Sequence, residues 1–185
     1  MMREGLRRLR PALAVALVFL IVSVLTRIAL ALRPDVDLDW RLALASFALG
    51  EVFDAAAVLY FVTPYVLWLA LAPRWFAQTP LGRATNLAGF FVMSYLAFFQ
   101  AVSEWIFWDE FAARFNFIAV DYLLYSTEVI GNIWESYPVG KLLTALALLT
   151  AALTAAMARR IWQWSAERMR SEEHTSELQS RLHLV

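Results

Sequence analysis

The sequence WIFWDEFAARFNFIAVDYLLYSTEVIGNIWESYP, which runs from Trp105 to Pro138, separates two long apolar runs. It is dense in aromatic residues and contains five acids: Asp109, Glu110, Asp121, Glu128 and Glu135. An amphipathic segment between two membrane spans is expected to lie along a membrane surface. The stretch therefore predicts a membrane protein in which these residues form an interfacial segment between spans.

Within this stretch, apolar residues recur at helical spacing: Phe115, Ile118, Tyr122, Val129 and Ile133. Asp121, Glu128 and Glu135 repeat every seven residues and so share another face of a helix. We predict an amphipathic helix over residues 105–137, which Pro138 ends. Its acidic face is either a solvated surface or a contact with a substrate headgroup or a partner domain.

The composition places the whole chain in a membrane. Apolar residues make up 61% of the sequence and charged residues only 17%, against roughly 25% charged residues in soluble domains. The net charge of zero conceals a separation of arginines from acids along the chain. Since there is no cysteine, disulfides and thiol chemistry are excluded.

Four apolar runs are long enough to cross a bilayer, which takes about 20 residues. We predict spans over residues 11–32, 44–72, 84–103 and 140–158, with a kink at Pro64. The expected fold is all-α: a polytopic membrane helix bundle of four transmembrane helices plus the amphipathic interfacial helix between the third and fourth. Residues 1–169 would form this single transmembrane domain.

The distribution of arginine predicts the orientation of the spans. Residues 1–10 and 73–83 are rich in arginine, whereas residues 33–41 and 105–141 carry more acids than bases. By the positive-inside rule, the first two segments lie in the cytoplasm and the last two lie outside. We therefore expect a multi-pass protein of a bacterial cytoplasmic (inner) membrane, with its N-terminus in the cytoplasm.

The last residues have an unusual sequence. One back-translation of RSEEHTSELQS, from Arg170 to Ser180, resembles a common sequencing-adapter oligonucleotide. We expect residues 170–185 not to be native. Both histidines, His174 and His183, fall in this tail, so the rest of the chain has none.

Carboxylates are consequently the only candidates for chemistry. No metal-ligand cluster, nucleophile-base pair or glycine-rich phosphate loop is visible, and no basic patch suggests nucleic acid. Glu51 and Asp54 share a helix face on the second span, and Arg27 reaches a similar depth at about 1.5 Å per residue. Arg27 and Glu51 form either a structural ion pair or, with Asp54, a polar pocket for a lipid headgroup. Three other polar residues near span ends are expected to be ordinary interfacial groups: Asn86, Gln100 and Glu104.

The sequence RFNFIAVDYLLYSTEVIGNIWESYP, from Arg114 to Pro138, resembles the membrane part of lipoteichoic acid synthase-like proteins, the phosphoglycerol transferase and sulfatase-like family. The spacing of Gly50, Asp54, Tyr60 and Pro64 is similar to that family too. The resemblance implies about five spans followed by an extracytoplasmic domain of alkaline phosphatase type, with a threonine nucleophile and a divalent metal (Mn, Mg or Zn). That domain would follow a fifth span and is missing from this chain, which is expected to hold no cofactor itself.

The resemblance further implies that the parent enzyme transfers glycerol phosphate from phosphatidylglycerol to a polymer or glycan. This chain would anchor the enzyme and present its lipid, with membrane lipids and the missing catalytic domain as partners and no nucleic acid. The candidate lipid or substrate contacts are Glu51, Asp54, Asn116, Asp121, Thr127, Glu128 and Asn132. One alternative is the membrane domain of a phosphoethanolamine transferase, in which Thr127 and Glu128 would contact lipid. The other is a non-enzymatic sensor or scaffold module.

Overall fold

The computed structural model describes the backbone of residues 8–34, 39–114 and 126–182. Side chains are described as far as Trp164, with six exceptions inside helices: Trp40, Arg74, Gln78, Ser126, Glu128 and Val129. The helices are α1 (Arg10–Ala31), α2 (Trp40–Leu71), α3 (Arg74–Gln78), α4 (Pro80–Phe111), α5 (Ser126–Ser136) and α6 (Val139–Leu182). The described ranges contain no strand, so the all-α prediction is confirmed.

Four helices are long and apolar enough to cross a membrane: Arg10–Ala31, Arg41–Leu71, Pro80–Phe111 and Val139–Trp164. The prediction of four helices that are long and apolar enough to span a membrane is therefore confirmed. Large apolar side chains on these helices point outward, for example Leu17, Leu59 and Leu148, each more than half exposed. Such surfaces are stable in lipid and would not be stable in water.

The helix boundaries follow from local capping. Asp39 begins α2 by accepting a hydrogen bond from the Arg41 backbone N–H at 2.9 Å. Thr79 ends α3 and begins α4, where its hydroxyl accepts from the Gly82 N–H at 3.0 Å. Gly82 is required here, because a Cβ at this position would collide with the Phe76 backbone. The sharp turn between α3 and α4 therefore depends on a threonine, a proline and a glycine.

The spanning helices pack in the order α2, α1, α4 and α6, and α3 lies against α4 and α6. Close contact between α2 and α4 depends on Gly89, because a Cβ there would lie 2.5 Å from Cε2 of Tyr65. The Tyr65 hydroxyl donates to the Asn86 carbonyl oxygen at 2.6 Å, and Trp68 Nε1 donates to Asn86 Oδ1 at 3.3 Å. Asn86 is buried, so it joins two helices and is not the ordinary interfacial residue that we expected.

Several boundaries differ from the sequence prediction. The third spanning helix does not end near residue 103 but continues to Phe111, and α6 continues beyond residue 158 to Leu182. Helix α2 continues through Pro64, and the kink at that residue stays a prediction. Aromatic and charged residues at a membrane surface end the apolar span without breaking the helix, since only proline and glycine are strong helix breakers.

The predicted single helix over residues 105–137 is wrong in its first part. Residues 105–111 belong to α4, and the chain then turns at Ala112, which has a left-handed φ of 47°. Residues 115–125 lie outside the described residues. Helix α5 carries Ile130 and Trp134 one turn apart, each 61% exposed. The position of α5 on a membrane surface stays a prediction.

Candidate functional site at the acidic end of the bundle

We call the end of the bundle where α1 ends, α2 begins and α4 ends the acidic end. Here Arg27 of α1 lies against two carboxylates of α2. Its Nη1 donates to Glu51 Oε1 at 2.9 Å and its Nη2 to Asp54 Oδ2 at 2.5 Å. Nη1 also lies 3.3 Å from the Phe47 carbonyl oxygen. The guanidinium of Arg27 therefore holds α1 and α2 in one register.

The sequence of α2 forms a binding site for this guanidinium. Glu51 and Asp54 are three residues apart and so lie on the same face of the helix. Gly50 supplies the space, because a Cβ at this position would lie 2.6 Å from both Nη1 and Nη2 of Arg27. The Phe47 ring centroid is 5.6 Å from Arg27 Cζ, which adds a cation-π contact.

A second ion pair lies beside the first. Arg114, just after α4, donates through Nε to Glu104 Oε1. Burial lowers the pKa of Arg114, but the hydrogen bond and charge of Glu104, together with the charge of Asp54, outweigh burial and raise it. The Glu104 side chain is only 9% exposed. We had expected an ordinary interfacial residue at this position, so the sequence prediction missed Glu104.

The turn at Ala112 brings Arg114 back to Glu104. Ala112 adopts the left-handed conformation that usually falls to glycine at the end of a helix, and its N–H bonds to the Trp108 carbonyl at 2.8 Å. The chain therefore reverses within three residues of Phe111. The sequence gives no sign of this turn, because neither glycine nor proline occurs there.

We call Arg27, Glu51, Asp54, Glu104 and Arg114 together the acidic cluster. It contains three carboxylates and two guanidiniums, so it has one carboxylate in excess. Arg27 and Asp54 are 7% and 14% exposed, whereas Glu51 is 46% exposed. The excess negative charge is therefore available at Glu51, which has one oxygen bonded to Arg27 and faces outward.

Further charged contacts surround this cluster. Arg33 Nη1 lies 2.6 Å from Asp109 Oδ1, and its Cζ lies 4.9 Å from the ring centroid of Trp105. The Tyr137 hydroxyl donates to Glu110 at 3.4 Å. Burial and the charges of Glu110 and Asp109 raise the pKa of Tyr137. These contacts fasten the end of α4 to the segments before α2 and before α6.

Helix length indicates where the acidic cluster lies relative to a membrane. Glu104 and Arg83 are 21 residues apart on α4, which corresponds to about 32 Å. The hydrocarbon core of a bilayer is about 30 Å thick. If Arg83 lies at one edge of the hydrocarbon, Glu104 and the acidic cluster would lie at the other edge and not in the middle. Lipid headgroups lie at this depth.

The other candidate residues fall into two groups. Thr127 and Asn132 are exposed on α5, and neither forms a hydrogen bond with a described residue. Glu128 also lies on α5, but its side chain is not described. Asn116 and Asp121 lie outside the described residues. Of the predicted candidates, the structure brings together Arg27, Glu51 and Asp54.

The chain matches no protein-family model, no curated protein and no solved structure. Any function must therefore be argued from the residues themselves.

The acidic cluster can accept hydrogen bonds and attract positive charge. Within the described part of the chain, no group of three or more His, Cys, Asp or Glu residues could hold a metal ion. The divalent metal that the family resemblance implies therefore has no site among these residues. Arg27 Nε is buried and has no hydrogen-bond acceptor. The group that the site offers to a ligand is therefore the half-exposed carboxylate of Glu51.

Proposed function

We propose that this chain is the membrane-anchoring and lipid-presenting domain of a phosphoglycerol transferase of the lipoteichoic acid synthase-like type. The observation that carries the proposal is the excess carboxylate of the acidic cluster. A purely structural set of ion pairs needs one acid for each base, and the acidic cluster has one acid more. Glu51 is the acid with room for another partner, since it is 46% exposed.

Phosphatidylglycerol fits the charges of Glu51 and Arg27. The hydroxyls of its terminal glycerol donate hydrogen bonds to the exposed part of Glu51, and the positive charge of Arg27 attracts its phosphate. Bonds between a charged and a neutral partner are stronger than those between two neutral groups. Glu51 and Arg27 would hold the headgroup at the membrane edge, where a catalytic domain outside the bilayer can reach it. Chemistry would belong to that domain and its metal.

A second candidate is favoured by the charge of the cluster. Besides accepting hydrogen bonds from hydroxyls, the excess carboxylate attracts an ammonium group. Phosphatidylethanolamine carries such a group, so the membrane domain of a phosphoethanolamine transferase would use the same residues. The two candidates differ in the lipid headgroup to whose binding Glu51 contributes more.

Lipid binding to the purified chain tests the proposal. Native mass spectrometry would compare phosphatidylglycerol with phosphatidylethanolamine on the wild type and on Glu51→Gln. Glu110→Gln is the matched control, because Glu110 is an exposed acid at the same end but outside the acidic cluster. Of the two variants, we expect only Glu51→Gln to weaken the binding of phosphatidylglycerol. Greater loss for phosphatidylethanolamine would favour the second candidate, and no loss for either lipid would reject both.

The gene provides an independent test. We expect the genomic reading frame beyond codon 169 to encode a fifth span and a phosphatase-like domain. A native frame that continues into an unrelated domain would favour the sensor or scaffold alternative and would remove the transferase proposal.

A further inference from the structure

The opposite end of the bundle has a surplus of positive charge. Residues 8–12, 70–85 and 155–164 contain no acid, and they contain six arginines: Arg8, Arg10, Arg74, Arg83, Arg159 and Arg160. We call this the arginine end. Arg8 donates to the carbonyl oxygens of Ala70, at 3.1 Å, and Ala72, so it caps α2. Backbone carbonyl oxygens therefore offset part of the positive charge of Arg8.

Arg83 is the best-placed group at this end. Its Cζ lies 5.3 Å from the ring centroid of Trp162, so the side chain is held between α4 and α6. Its Nε is buried and has no hydrogen-bond acceptor. Within the described part of the chain, Arg83 forms no ion pair. A partly desolvated guanidinium without a counter-charge is costly, and an anion would relieve that cost.

Arg159 adds a second charge to the same place. It lies three residues before Trp162 and therefore on the same face of α6. Arg159 is exposed and has no carboxylate partner among the described residues. At the acidic end, by contrast, Arg27, Arg33 and Arg114 are each paired with a carboxylate. Arg83 and Arg159 differ from these three arginines in having no carboxylate partner among the described residues.

We propose that Arg83 and Arg159 bind the phosphate of an anionic phospholipid in the leaflet at the arginine end. Planar guanidinium groups match phosphate oxygens, and basic pockets between spanning helices favour anionic headgroups. A lipid fits better than a soluble anion, because residues 70–85 of the arginine end also carry exposed apolar side chains. These are Leu71, Trp75 and Leu81, which are 77%, 72% and 63% exposed. The proposal is independent of the function proposed above, since it concerns the other end of the bundle.

Native mass spectrometry with phosphatidylglycerol and phosphatidylcholine tests this site. The Glu51→Gln background lowers the contribution of the acidic end and is the same in every variant compared. Each of Arg83→Gln and Arg159→Gln should weaken phosphatidylglycerol binding roughly fivefold, which is the contribution of one arginine near a charged surface. Arg160→Gln is the matched control: it is exposed and adjacent in sequence, but it lies about 100° around the helix from Arg159.

Three results would overturn the proposal. One is an equal loss in all three variants, which would indicate diffuse attraction without a site. The second is equal binding of phosphatidylcholine. The third is displacement of the lipid by millimolar inorganic phosphate, which would indicate a soluble anion. If Arg83→Gln does not fold, the comparison of Arg159→Gln with Arg160→Gln still tests the site, because both residues are exposed. Arg83→Lys is a further variant, which keeps the positive charge but loses the planar guanidinium.

Discussion

The pairing of Arg27 with two unequal carboxylates leads to a quantitative prediction for Arg27→Met. The substitution leaves Asp54, which is 14% exposed, without its partner. Removing one member of a buried ion pair costs about 3–5 kcal/mol. Glu51 is 46% exposed, so solvent screens its charge and its share should be about 1 kcal/mol or less. We therefore expect Arg27→Met to lower the free energy of unfolding by about 3–5 kcal/mol, mostly through Asp54.

Double-mutant cycles separate the two partners. Reversible unfolding in mixed micelles with increasing sodium dodecyl sulfate, followed by circular dichroism, supplies the free energies. We expect the coupling of Arg27 to Asp54 to be about 2–3 kcal/mol and its coupling to Glu51 to be below about 1 kcal/mol. Arg33→Met is the control, because Arg33 and Asp109 form a more exposed pair, at 18% and 32%.

The outcome that would refute this reasoning is specific. If the coupling to Glu51 equals or exceeds the coupling to Asp54, exposure does not determine the strength of these pairs. If both couplings are zero, Arg27 does not hold α1 against α2 by charge. A large loss in Arg33→Met would show that removal of any arginine destabilises the bundle, whatever its burial.

Three further predictions concern separate features. Gly50→Ala should displace Arg27 and lower the free energy of unfolding by about 2–4 kcal/mol. By contrast, a Cβ at Gly131 would have nothing within 4 Å, so Gly131→Ala should stabilise α5 by up to about 1 kcal/mol. Arg114→Gln should leave Glu104 buried without a partner and speed hydrogen exchange at the turn after α4, and unchanged exchange would contradict that. Because the chain has no cysteine, single cysteines introduced at positions 37, 78 and 135 can be labelled in intact cells to determine the topology. We expect labelling from outside at positions 37 and 135 only, and labelling at position 78 would contradict the predicted orientation.

The number and type of the spanning helices could be predicted because they depend on composition and length alone. Their ends could not, since helix propensity continues where apolarity stops. Arg159 and Arg160 mark the end of the apolar run, yet arginine is a good helix former and α6 continues through them. The same reason explains why α4 runs on to Phe111 through acidic and aromatic residues.

The candidate site shows a similar division. Counting residues from the span ends put Arg27 and Glu51 at similar depths, and the structure places their charged atoms 2.9 Å apart. The pairing of Glu104 with Arg114 depends on a left-handed turn at an alanine. Alanine rarely adopts that conformation, so no residue type in the sequence announces the turn. Tertiary contacts that depend on such a turn require the structure.

The pairing of Arg27 with Glu51 and Asp54 of α2 also has a consequence for biosynthesis. Arg27 leaves the ribosome 24 residues before Glu51 and 27 before Asp54. During that interval α1 holds a cation near the hydrocarbon edge without its partners, and arginine opposes release from the translocon into lipid by up to about 3 kcal/mol. The cost disappears once α2 supplies both carboxylates. We therefore expect α1 to wait beside the translocon and to enter the bilayer together with α2 as a helical hairpin.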